Sequence, residues 1–163
     1  MLIKIKNKDT LEIDSFVIKC AIGINGIRTK KIEGDKCTPK GIFTFGKLYY
    51  RADRVKKPET KIPKKIITKN MGWCDDIKSK FYNKEIKVNK NIKHEKLFRI
   101  DNLYDYLIVI NYNTRNIMNG KGSAIFLHLT KNYKKTKGCV AVKMKDLLII
   151  LKLITKNSKI KIY

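Results

Sequence analysis

Gly122-Ser123-Ala124-Ile125-Phe126-Leu127-His128-Leu129, followed after a polar, lysine-rich loop by Thr136-Lys137-Gly138-Cys139-Val140-Ala141-Val142, is the stretch that decides the fold. Both segments read as strands: short apolar runs bounded by Gly, Ser, Thr and Lys, too short for helices. In an extended chain Ile125 and Leu127 share one face, and Phe126 and His128 share the other. The loop can bring His128 beside the Gly138-Cys139 step on a neighbouring strand.

The same reading extends outward. Leu2 to Lys6 alternates apolar residues with Lys, and Ile13 to Ile22 reads as a second strand ending at the turn Gly23-Ile24-Asn25-Gly26. Gly41 to Tyr49 is a third, approached through Thr38-Pro39, and Tyr104 to Tyr112 is a buried one. Arg51 to Asp76 is rich in Pro, Lys and Asp, lacks periodicity, and is expected to be a long irregular excursion of the kind that often carries function. Met144 to Thr155 predicts a helix, with Asp146 in its first turn and Leu147, Leu148, Leu151 and Ile154 as an apolar stripe; Ser158 to Tyr163 predicts a closing strand. The expectation is a mainly β fold with one packed C-terminal helix, residues 1–163 forming one domain.

Composition narrows the function classes. A hydrophobic content of 43% marks a globular chain. No apolar run approaches the roughly 18 residues of a membrane span, so no transmembrane segment is expected. The N-terminus reads as a strand and not as a signal peptide, because no apolar stretch follows its basic residues. The net charge of +24 has two readings: a polyanionic partner, or compositional bias toward Lys, Ile and Asn. Only five of the 38 basic residues are Arg, and the lysines are spread along the chain, so no specific nucleic acid is expected. A non-catalytic basic module that binds an anionic polymer stays open as an alternative. The four cysteines, Cys20, Cys37, Cys74 and Cys139, permit at most one bridge if Cys139 must be free.

The chemistry centres on His128 and Cys139. A thiol is mostly protonated near neutrality, and an adjacent imidazole supplies the base that generates the thiolate. Gly138 allows close approach of a reacting carbonyl, and the amides of Gly138, Cys139 and Val140 are candidate oxyanion donors. Taken alone, the pair reads more readily as a buried strand thiol and a satisfied core histidine.

The flanking segments tip that balance. Thr38-Pro39-Lys40-Gly41-Ile42-Phe43 resembles the T-P-x-G-x-F opening segment of L,D-transpeptidase catalytic (YkuD-like) domains. Gly72-Trp73-Cys74-Asp75-Asp76, Tyr82-Asn83, His94-Glu95 with Leu97 and Arg99, Leu103-Tyr104-Asp105 and Asn111-Tyr112-Asn113 follow in order. The His128 segment and Thr136-x-Gly138-Cys139-Val140-Ala141 complete a set similar to one bacterial branch of that family, over about residues 20 to 155. In the commoner pattern a second His precedes the Gly-Cys step and Arg or Asn follows nearby; here Lys137 and Ala141 stand there, and the His-to-Cys loop is shorter.

The resemblance implies a β-sandwich or barrel-like domain in which Cys139 attacks a diaminopimelate carbonyl of a peptidoglycan stem peptide. D-alanine leaves, and an amine from a second stem resolves the thioester. It calls for no metal and no cofactor. It also implies action in the periplasm or cell wall, while a cytoplasmic thiol hydrolase or amidase on the same scaffold would fit the missing signal peptide. His94, Arg99, Trp73, Asp75, Ser123 and Thr136 are candidate substrate contacts. Four have another reading: a turn for His94, an ion pair with Asp101 or Asp105 for Arg99, a loop plug for Trp73, and for Ser123 an orienting bond to His128 that a backbone carbonyl could equally supply.

Overall fold

The computed structural model describes residues 1–29 and 31–163. Its strands are β1 (Leu2–Lys6), β2 (Thr10–Ile13), β3 (Phe16–Lys19), β4 (Ile27–Arg28), β5 (Thr38–Pro39), β6 (Gly41–Tyr50) and β7 (Lys64–Ile66). They continue with β8 (Met71–Cys74), β9 (Glu85–Lys87), β10 (His94–Lys96), β11 (Tyr106–Ile110), β12 (Phe126–Leu129) and β13 (Val140–Val142); helix α1 (Met144–Leu153) and β14 (Lys159–Ile162) end the chain. The fold is mainly β, as the alternation predicts, and among the described residues α1 is its one α-helix. No helix among them is long and apolar enough to cross a membrane.

Nine strands form one sheet in the order β13-β12-β11-β6-β14-β1-β2-β3, with β7 parallel to β6. It nearly closes on itself. The chain leaving β3 meets β13 at a two-way bridge in which the Ala21 and Ala141 amides each donate to the other's carbonyl at 2.8 Å. Closure leaves fewer unpaired backbone groups along those edges. It also encloses a core that includes Ile3, Ile5, Leu11, Leu127, Val140 and Val142. Helix α1 buries Leu147, Ile150 and Leu151 into the same core. Asp146 stands in its first turn and Lys152 in its last, each complementing the helix dipole, and no side chain caps its N-terminus.

A three-stranded sheet, β10-β8-β9, lies against the outer face of β11 and β12. Trp73 and Leu97 from that sheet and its flanks pack with Leu107, Val109, Phe126 and Tyr104 in a second core. Strands β11, β12 and β13 are therefore buried on both faces, which is why they read as continuous apolar runs.

Two expectations change. Residues 13–22 do not form one strand: β2 ends at Ile13, Asp14 takes a left-handed φ of 48°, and β3 turns back to pair with β2. Asp tolerates that conformation at a turn better than most residues do. The 51–76 stretch is not wholly irregular. It contributes β7 and β8, the latter buried at every residue and so without alternation to betray it.

Candidate active site

Strands β12 and β13 run parallel, with Leu127 opposite Val140 and His128 opposite Ala141. Side-chain alternation then sends Leu127, Leu129, Val140 and Val142 into the enclosed core. Phe126, His128 and Cys139 point the other way. The two candidate reacting groups thus lie on one face of neighbouring strands, and both border a cavity of about 700 Å³.

The imidazole is oriented by its own strand. His128 Nδ1 donates to the Leu129 carbonyl at 2.8 Å, and Tyr104 packs edge-on at 5.2 Å between ring centroids. A carbonyl can only accept, so Nδ1 carries the proton and Nε2 is left as a basic lone pair. Burial drives the His128 pKa down to about 4, and nearby Arg99 adds to that effect. The Cys139 sulfur accepts from the Phe126 amide at 3.3 Å and donates to the Ala124 carbonyl at 3.2 Å. Burial pushes its pKa up to about 12; Glu95 raises it further, while the Phe126 amide and Lys31 oppose the rise. At neutral pH the resting pair is therefore an uncharged thiol and an uncharged imidazole. Among the described residues the sulfur makes no hydrogen bond to His128.

The cavity lining carries both signs of charge. Glu33, Asp75 and Glu95 border it, Asp75 beside Lys93 and Glu95 beside Arg99, as does the loop carrying Lys131, Lys134, Lys135 and Lys137. Burial raises the Asp75 pKa against the attraction of Lys93, and the Asp75 Oδ1 atom is enclosed without a hydrogen bond among the described residues.

The remaining candidates divide. Ser123, Asp75, Arg99 and Thr136 line the cavity. Ser123 Oγ donates to Glu33 at 2.7 Å and not to His128, whose orientation comes from Leu129. Arg99 grips Asp101 through two bonds of 2.8 and 2.6 Å and lies over the Tyr104 ring. Thr136 Oγ1 donates to the Cys139 carbonyl at 2.6 Å and accepts the Gly138 amide at 3.1 Å. That engages the Gly138 donor, so its candidacy as an oxyanion donor falls away in this state. Val140 is fully buried and absent from the cavity wall, which leaves Cys139 as the one of the three that borders it.

Trp73 and His94 do not line this cavity. Trp73 is a plug: its ring meets Phe126 edge-on at 5.3 Å and its indole N–H donates to Asn83. His94 Nδ1 bonds the Ile92 carbonyl at 2.7 Å, and its ring lies where a Cβ on Gly72 would stand, 2.8 Å from Cδ2.

Sequence reading missed Lys31 and Glu33. Lys31, only 4% exposed, pairs with Asp35 and donates to the Cys37 carbonyl at 2.6 Å. That carbonyl stands 2.9 Å from where a Cβ on Gly138 would be, so Gly at 138 is required by space as well as by its φ of +139°. Glu33 accepts from both Tyr82 and Ser123. Both charges sit in an aperiodic loop ahead of Thr38-Pro39, where nothing in the local pattern distinguishes them from solvated residues. The four cysteines are all free and buried.

No curated protein matches the chain. The family model for the YkuD L,D-transpeptidase catalytic domain matches residues 4–162, nearly the whole chain. That match, over nearly the whole chain, places it in the L,D-transpeptidase catalytic domain family.

Proposed function

We propose that the chain is a peptidoglycan L,D-transpeptidase that works through a thioester on Cys139. The carrying observation is that Cys139 and His128 border one cavity from the same face of β12 and β13, with His128 Nε2 left free by the Leu129 bond. A neutral imidazole and a neutral thiol bordering one cavity suit general-base catalysis, in which the proton moves only as the nucleophile attacks.

The Cys139 S–H proton passes to His128 Nε2 as sulfur bonds to the carbonyl carbon of the donor stem peptide. The oxygen takes the negative charge, with the Cys139 amide as the proposed donor to it. Collapse breaks the carbon–nitrogen bond, and the imidazolium returns its proton to the departing amine of D-alanine. An acceptor amine then attacks the thioester, His128 takes its proton, and sulfur leaves to be reprotonated. The carboxylates of Glu33, Asp75 and Glu95 in the cavity lining suit the ammonium groups of stem peptides, and the lysines of the 131–137 loop suit their carboxylates. Stem peptides place the proposed site of action in the periplasm or cell wall.

Incubation with purified muropeptides, followed by mass analysis, tests the reading. The expected product is a dimer lacking one D-alanine. A monomer shortened by D-alanine, with no dimer, would make water the acceptor at the same site. Unchanged substrate with folded protein would overturn the proposal.

A further inference from the structure

Asn83 takes no part in the chemistry above, yet its buried carboxamide is fully engaged. Oδ1 accepts from the Trp73 indole at 2.9 Å and from the Ala124 amide at 3.0 Å. Nδ2 donates to the carbonyls of Tyr112 at 3.1 Å and Asn113 at 2.8 Å. The residue it holds, Ala124, has a φ of 52°, a left-handed conformation that a side chain with a Cβ keeps only when its surroundings impose it. From that conformation the Ala124 carbonyl accepts the Cys139 thiol, while the Phe126 amide donates to the same sulfur.

We propose that Asn83 is a positioning residue for the nucleophile: by holding Ala124 left-handed, it fixes the carbonyl and the amide between which the Cys139 sulfur rests. The two contacts act in opposite directions. A carbonyl acceptor favours the protonated thiol, and an amide donor favours the thiolate. When the proton leaves for His128 Nε2, the bond to Ala124 is lost and the bond from Phe126 remains to support the anion. The sulfur is kept protonated at rest and kept in place when it reacts. A phenylalanine could fill the space of Trp73, but only the indole N–H can bond Asn83, so the plug and the positioning residue form one unit.

A purely structural Asn83, satisfying the carbonyls of residues 112 and 113, predicts different behaviour. The test is iodoacetamide labelling of the full chain and of Asn83→Ala, with peptide mapping of all four cysteines and turnover measured in parallel. Release of the sulfur from its two partners should raise the Cys139 labelling rate about fivefold while Cys20, Cys37 and Cys74 stay as slow as before. Acyl transfer should fall about tenfold with KM little changed, because the thiol is no longer aimed. Adding Ala124→Gly to Asn83→Ala should restore both, since glycine adopts the left-handed conformation without being held there. Trp73→Phe, which keeps the aromatic packing and removes one bond to Asn83, should shift labelling in the same direction by about twofold, and serves where Asn83→Ala does not fold. Wild-type labelling of Cys139 in folded Asn83→Ala, or an equal rise at all four cysteines, would overturn the proposal. The turnover arm rests on the acyl-transfer reading, whereas the labelling arm uses no substrate, so the two fail separately.

Discussion

The two faces of β12 and β13 share one backbone and have opposite duties. Toward the enclosed core they present Leu127, Leu129, Val140 and Val142, hydrocarbon that asks nothing of its neighbours but close packing. Toward the small sheet the alternate residues are Phe126, His128 and Cys139, two of them ionisable and nearly as deeply buried. The second face survives because each polar atom has a partner or opens on the cavity: Leu129 for the imidazole, Ala124 and Phe126 for the thiol. Burial also keeps both groups uncharged, as the opposed pKa shifts show. A rigid hydrocarbon face thus anchors a reactive one a single residue out of phase.

That contrast predicts which substitutions harm what. The largest effect belongs to the reactive face. Cys139→Ala should lower turnover about a thousandfold or more while leaving the fold intact. His128→Ala should lower it about a hundredfold to ten-thousandfold. Near wild-type activity in a folded Cys139→Ala protein would break the assignment of the nucleophile. On the other face, Leu127→Ala should cost about 2–5 kcal/mol in a urea melt, because a fully buried side chain leaves a cavity behind. Its turnover per folded molecule should change far less than its stability.

A subtler effect follows from the buried imidazole. The folded pKa of His128 is near 4, below the ordinary value of 6.5, so between those pH values the unfolded chain binds more protons. Stability should therefore rise with pH through that window and be lost as pH falls across it. Unfolding melts at several pH values should show a steeper acid loss for the wild type than for His128→Asn, and parallel curves would contradict the buried neutral imidazole. The smallest effect is expected at Lys137, which lies exposed on the cavity wall where the commoner family pattern has a second histidine. Lys137→His should change turnover by about twofold or less, because the loop around it is built without that histidine. A large gain would show Lys137 to be a lesion in a weakened enzyme.

Much of this was readable before the structure. The alternation of β1, β6 and β14 and the stripe of α1 are local signals, and closure of the sheet follows from burying one face of each strand. The His128 and Cys139 pair was readable from the ordered set of flanking segments that resembles the family, since parity within each strand leaves the register between two strands open. The small sheet was not, since β8 is buried on both faces and β9 and β10 are three residues each. Nor were the residues that position the sulfur. Asn83 reads locally as a turn residue, which it also is, with φ of 55°. Its bond to Ala124 spans 41 positions of sequence and leaves no periodic trace. Arg99 illustrates the limit differently: the choice between Asp101 and a substrate carboxylate depended on side-chain geometry that spacing alone does not give.

The account stands most directly on Cys139 being an acyl acceptor activated by His128. Treatment with a carbapenem, whose strained carbonyl is an acyl donor, followed by peptide mapping, measures that property at each cysteine. Cys20, Cys37 and Cys74 are as buried as Cys139, and none of the three lines the cavity. The account predicts an adduct confined to the peptide containing Cys139, formed by the wild type and lost in His128→Ala. Adduct spread over the other cysteines, or none at Cys139 in folded protein, would contradict it.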